Sequence, residues 1–181
     1  MINADDMKNE LPEYKAGVTA KDPKAAILAH EESSYLAKRL QAASIENHFN
    51  MTLDGTGDNS PQSMKKKIDA ARSAGYEVNG IYATVPSDVA VERSMIRAQK
   101  TGRNVPEHII RITHKSVSKV LPEISDQFDN MKLFDTTTRD IKPVASQKKG
   151  EKLQIHDPQG WKDFVNKGTE DEHRVTHPGS K

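Results

Sequence analysis

The chain has 181 residues, 34% hydrophobic, 5% aromatic and 29% charged, so its apolar side chains must be gathered into a few periodic segments of a helix-rich domain with a polar surface. Twenty-seven Lys and Arg stand against 26 Asp and Glu, and a net charge of +1 gives no electrostatic case for non-specific nucleic-acid or membrane binding, so any anion site must be local. The absence of Cys excludes disulfides, thiol catalysis and thiolate metal sites, and no apolar run approaches the ~20 residues that span a bilayer, so the expected location is the cytoplasm.

From the N-terminus, Ile2-Asn3-Ala4 reads as a strand end, and Asp5-Asp6 as caps of a single helical turn that Pro12 ends. From Pro23 to about Glu46, Ala26, Ile27, Ala29, Leu36, Ala37, Leu40 and Ala43 recur at helical spacing and predict the longest helix. Phe49–Asp54 is a short strand candidate, stopped by Gly55-Thr56-Gly57. Pro61 opens a helix to about Ala74, closed by Gly75. Val78–Val85 is the strongest strand candidate; Ser87-Asp88 then cap a helix to about Gln99. Gly102 interrupts, Pro106 starts a helix to about Lys119, and Pro122 starts another to about Met131. Lys132–Asp135 and Leu153–His156 are late strands, and Pro158 opens a small helix with Trp161 and Phe164.

This alternation predicts an α/β fold: a three-layer domain on a parallel sheet over residues 1–145, a small appendage over 146–167, and a polar, disordered tail over 168–181. Reactive groups in such a domain gather beyond the carboxyl ends of the strands, where the loops converge. Two of those loops carry carboxylates, Asp5 and Asp54. A carboxylate there can hold magnesium or accept a proton from a substrate hydroxyl, whereas taken singly it reads first as a helix cap or a turn residue. Arg93 and Arg97 are four apart on one helix face, and the break at Gly102 could swing Arg103 toward the same anion, a clamp suited to phosphate. The alternative is a solvated helix with intrahelical ion pairs. His30-Glu31-Glu32 lacks the second histidine of a zinc HExxH motif, and His173 and His177 fall in the polar tail.

The run Ile2-Asn3-Ala4-Asp5-Asp6-Met7-Lys8, with Leu11-Pro12-Glu13-Tyr14, His30-Glu31-Glu32-Ser33-Ser34, Asp54-Gly55-Thr56-Gly57, Gly75-Tyr76, Val85-Pro86, Glu92-Arg93 and Gly102-Arg103-Asn104-Val105-Pro106, resembles the zeta toxin family in order and spacing from Ile2 to Thr138. The resemblance implies a P-loop kinase that uses ATP and magnesium to phosphorylate the 3′-hydroxyl of UDP-N-acetylglucosamine. It implies Asp5 as the base, Asp54 and Thr56 on the substrate and magnesium side, and Arg93 and Arg103 on the ATP phosphates. Arg97 joins them on helix geometry alone. Asp58 stands where some relatives have a basic residue. No Gly-x-x-x-x-Gly-Lys-Ser/Thr run occurs in the 181 residues. The expectation is therefore an N-terminally incomplete kinase domain, with little activity alone, completed by a missing segment or a partner chain. The alternatives are a kinase of another hydroxyl, on a polynucleotide end or an antibiotic, or a non-catalytic module that docks an antitoxin.

Overall fold

The computed structural model describes residues 1–20, 28–57, 60–101 and 105–171, and the chain folds as two compact units. The first comprises Met1–Thr56 and Ser94–Val105, the second Gly57–Arg93 and Pro106–Lys181. Among the described residues there are seven α-helices and six strands.

In the first unit, β1 (Ile2–Asn3) runs parallel to β2 (Leu53–Asp54), pairing Ile2 with Leu53 and Asn3 with Asp54. The cap of α1 (Ala4–Lys8) is Asn3, not Asp5 or Asp6: the Asn3 side chain accepts the Asp5 backbone N–H, and both aspartates sit in the first turn. Pro12 begins a helix rather than ending one, α2 (Pro12–Thr19), because a ring without an N–H costs nothing where the donors have no partner anyway. The long helix is described from His30 to Glu46 as α3; Pro23–Ile27 lie outside the described residues. Its inward positions are partly hydroxylic. Ser33 and Ser44 are buried and bond back to the His30 and Leu40 carbonyls, while Leu40 and Ala43, expected in the apolar stripe, face solvent. A left-handed residue ends α3 at His48, with φ of 55°.

The second unit is built on a four-stranded sheet in the order β3 (Asn79–Thr84), β4 (Asn130–Asp135), β5 (Lys142–Lys148), β6 (Gln154–Ile155). Of the expected all-parallel sheet this unit keeps only the β3–β4 pair; β4–β5 and β5–β6 are antiparallel. Connection length decides this, since a parallel return needs a crossover of a dozen or more residues and these connections are too short for one. The strands therefore cross the expected boundary at residue 145, and 146–167 extends the same sheet and core instead of standing as an appendage.

Helices α4 (Pro61–Ser73), α6 (Glu107–Ile124) and α7 (Pro158–Asn166) supply the other side of the core. Ile68, Val120, Leu121, Ile124 and Phe164 pack on Phe128, Met131, Leu133, Val144 and Ala145. The local signals around α4 work as read: Ser60 accepts the Ser63 N–H, Pro61 opens the helix, and Gly75 with φ of 87° closes it. Pro122 starts no helix. It lies on the exposed side of the last turn of α6, where burial of Leu121, Ile124 and Phe128 outweighs the lost ladder bond and fixes the path, so Met131 falls in β4. Gly80 suits a close approach, since a Cβ there would stand 3.1 Å from the Phe128 ring and press on it. Asp129 ties three elements together: it accepts the Val78 N–H and meets Arg72, whose Nη2 also donates to the Gln127 carbonyl. The Val78 N–H, reinforced by Arg72, holds the Asp129 carboxyl below the usual carboxylate range. Residues 168–171, expected in a disordered tail, are ordered: a 3-10 turn spans Lys167–Thr169 and Gly168 is buried. Residues 172–181, with His173 and His177, lie outside the described residues.

If α7 belongs to the core, Phe164→Ala should lower unfolding stability by about 3–5 kcal/mol in a denaturant titration followed by far-UV circular dichroism. A loss below about 1 kcal/mol would return the C-terminal segment to an independent appendage. His48→Gly should raise stability by about 1 kcal/mol, because a side chain at positive φ carries a cost that glycine does not.

Candidate functional site

In the first unit the parallel pairing of β1 and β2 brings two of the expected site residues to adjacent strand ends. Asn3 Nδ2 donates to Asp54 Oδ2 at 2.7 Å, while Asn3 Oδ1 accepts the Asp5 N–H at 2.8 Å. One amide side chain thus joins the turn that carries Asp5 to the carboxylate that ends β2. Lys8, one turn further along α1, places its Nζ 3.0 Å from Asp5 Oδ1, with its own side chain 8% exposed and that of Asp5 38%. Asp54 and Thr56 are exposed on the segment leaving β2. Sequence reasoning passes over both Asn3 and Lys8. The available signals are an Asn two residues before Asp5 and a Lys three residues after it, spacings that suit a cap and an ion pair on one helix face.

Arg97 and Arg103 are the other residues expected on a phosphate clamp. Arg97 is exposed on α5 (Ser87–Thr101), its carbonyl accepting the Thr101 hydroxyl, and Arg103 lies outside the described residues together with the break at Gly102.

In the second unit β3 and β4 end side by side at Thr84 and Asp135. Thr136 follows, and its N–H and hydroxyl both donate to the Thr84 carbonyl. Asp135 Oδ1 accepts the Thr137 N–H and hydroxyl, closing a tight turn. Arg93 rests on that turn: Nη1 and Nη2 donate to the Thr136 carbonyl at 3.1 Å, and Nη2 to the Thr137 carbonyl at 2.6 Å. The guanidinium expected to meet phosphate therefore has its orientation set by main-chain oxygens. Behind the strand ends lies Lys167, 5% exposed, whose Nζ donates to Thr84 Oγ1 and the Val85 carbonyl. Burial pushes its amine down to about 8, against the opposing effect of Glu170, Asp135 and Asp163. His114 on α6 is pushed down to about 4 by burial and by the Lys167 ammonium. Arg111, also buried, pairs with Glu107 at 2.7 Å and Asp88 at 2.6 Å, tying the first turn of α6 to that of α5.

A family model described as Zeta toxin matches residues 1–157. The chain belongs to the zeta toxin family. No curated protein and no solved structure matches it significantly. Membership gives this zeta toxin relative a P-loop-kinase-like function, in a family that is generally nucleotide-binding and ATP-using. The matched stretch contains Asn3, Asp5, Asp54, Thr56 and Arg93, whereas Lys167 and the turn that carries it lie beyond it. No helix among the described residues of this zeta toxin relative is long and apolar enough to cross a membrane. No group of three or more His, Cys, Asp or Glu that could hold a metal ion occurs among the described residues.

The His114 environment gives a pH test with a definite sign. The unfolded chain takes up a proton at this residue near pH 6.5 and the folded chain only near 4, so the contribution to stability is full above about 6.5 and lost as pH falls toward 4. The urea midpoint of the wild-type chain should fall over that window, and the fall should be shallower in His114→Gln. Equal slopes in the two proteins would mean that His114 is not held neutral.

Proposed function

We propose that these residues form the acceptor side of an ATP-dependent kinase that phosphorylates a hydroxyl of a small molecule, UDP-N-acetylglucosamine being the acceptor favoured by the family resemblance. The observation that carries this reading is the Asn3 bridge, which holds Asp5 and Asp54 at neighbouring carboxyl ends of two parallel strands. Phosphoryl transfer asks a protein mainly for positioning and charge stabilisation, with one group to take the proton of the attacking hydroxyl. Asp5 is assigned that proton. Lys8 fixes the rotamer of its carboxylate from a buried position, and the Asn3 cap fixes the turn from which it projects.

Asp54 is exposed, with Oδ2 held by Asn3, and a carboxylate of this kind fits magnesium, which commonly takes one or two carboxylates and completes its shell with water and phosphate oxygens. When bound, the ion would neutralise charge on the transferring phosphoryl group. Thr56 is assigned to the acceptor, and Arg93, Arg97 and Arg103 to the ATP phosphates. The near-zero net charge favours a small acceptor over a polynucleotide.

The loop that cradles the phosphates is assigned to a polypeptide segment other than these residues, either more of the same chain or a partner. The outer edge of β3 is suited to receive a strand from it. β3 is the end strand of its sheet, with no charge or proline along Asn79–Thr84, and Ile81 is 78% exposed. Edges left without those protections invite pairing.

Calorimetric titration of the chain with UDP-N-acetylglucosamine should detect binding that weakens about tenfold in Thr56→Ala and much less in Asp5→Asn. With the phosphate loop supplied, Asp5→Asn should lower transfer of labelled phosphate by about 100-fold or more with little change in acceptor affinity. Full transfer by Asp5→Asn would remove Asp5 as the base, and label appearing only on a different hydroxyl compound would replace the acceptor. ATP with magnesium should bind the 181 residues alone only weakly; ordinary micromolar affinity would count against an outside loop.

A further inference from the structure

A buried ammonium that donates to neutral oxygens is an expensive way to fill space. Lys167 is 5% exposed, and both acceptors of its Nζ among the described residues, Thr84 Oγ1 and the Val85 carbonyl, are uncharged. The carboxylates of Asp135, Asp163 and Glu170 act on it through the field alone, without a direct ion pair. A methionine or leucine would fill the same volume without the desolvation penalty. What an apolar side chain could not supply is a pair of charge-assisted donors at the carboxyl end of β3.

The surroundings hold the ammonium in place. Phe164 of α7 is buried in the core, and its ring centroid is 5.8 Å from Lys167 Nζ. The next residue is seated against α6, where a Cβ on Gly168 would meet Lys119 Cγ at 3.2 Å and Ser118 Oγ at 3.5 Å. The lysine thus enters the strand end from a turn that cannot easily shift.

From this amine a continuous chain of hydrogen bonds runs to Arg93. Lys167 holds the Thr84 hydroxyl and the Val85 carbonyl; the Thr84 carbonyl takes the N–H and hydroxyl of Thr136; the carbonyls of Thr136 and Thr137 take the guanidinium of Arg93. We propose that Lys167 is a positioning residue for Arg93: its ammonium fixes the end of β3, and through Thr84 and Thr136 it sets the two carbonyls on which the Arg93 guanidinium lies. The reading of Arg93 as a phosphate-contacting residue gives this positioning its use, but the chain of bonds stands apart from it. Lys167 and its turn lie beyond the stretch that the family model matches.

The groups facing the amine are Asp135 from β4, Asp163 from α7, Glu170 beyond the 3-10 turn, and His114 from α6, with Arg111 further along the same helix. His114 is neutral above about pH 4, and the Lys167 amine titrates near 8. Its linkage has the same sign as that of a partnered carboxylate: the unfolded chain keeps the proton to about 10.5 and the folded chain releases it near 8, so over that window stability rises with pH as a desolvation cost is removed, while the bonds to β3 weaken.

The test is nuclear magnetic resonance of the 181-residue chain. In the wild type, the amide signals of Thr136 and Thr137 and the Nε–H signal of Arg93 should titrate together with a midpoint near pH 8. In Lys167→Arg, which keeps its charge throughout, that titration should vanish while the Arg93 signal stays near its wild-type neutral-pH position. In Lys167→Met, hydrogen-exchange protection of the Thr136 amide should drop about tenfold. Arg93 and Thr136 signals that ignore both pH and the methionine substitution would overturn the proposal, and the wild-type titration alone decides it should that variant fail to fold. No nucleotide enters the measurement, so absence of kinase activity beside an intact titration would count against the proposed function and leave the positioning role standing.

Discussion

A strand that stops inside a protein leaves main-chain groups and a turn that no ladder bond can organise, and something from elsewhere in the chain has to hold them. Both units meet this demand at the carboxyl ends of parallel strands. In the first, a neutral amide does it: Asn3 spans from its own helix cap to the carboxylate that ends the neighbouring strand. In the second, cations do it, with Lys167 on the end of β3 and Arg93 on the turn that follows β4. The residues assigned to chemistry are therefore the same residues, or the immediate neighbours of those, that close off the strands.

That double use has a physical logic. A carboxylate or guanidinium that must meet a charged ligand loses effectiveness if it wanders, and orientation by fixed dipoles costs nothing at the moment of binding. Lys8 and Asn3 constrain Asp5 from two directions, and the Thr136 and Thr137 carbonyls constrain Arg93. The hydrophobic core beneath the second unit, from Ile68 through Leu133 to Phe164, provides the rigidity on which the Lys167 turn depends. Membership of the zeta toxin family fits such a division of labour, because kinases of this kind act by holding phosphates and hydroxyls in place more than by covalent chemistry.

Much of the framework is legible in the sequence wherever the signal is local. Ser60, Pro61 and Gly75 each act within one turn of α4 and announce its two ends, and Pro86 marks the close of the strand at Asn79–Thr84 in the same way. Local rules mislead where burial outweighs them. Pro12 and Pro122 look like a helix end and a helix start, yet one opens α2, where a proline is nearly free, and the other lies inside α6, where burial of Leu121 and Ile124 outweighs its cost. Ser33 and Ser44 give no sign of being interior positions, because the bond each hydroxyl makes back to its own helix, which lets it be buried, leaves no mark on the hydrophobic pattern.

Residue order alone carries the family, the succession of most helices and strands, and the presence of carboxylates after two apolar strands and of arginines on one helix face. Which partner each of these groups has, that the second sheet turns antiparallel after β4, and that the C-terminal turn reaches back into the core are settled by three-dimensional packing. The reason is separation along the chain. Asn3 finds Asp54 across 51 residues and Lys167 finds Thr84 across 83, and a pairing made over such distances is chosen by packing of everything between, which no window of neighbouring residues contains.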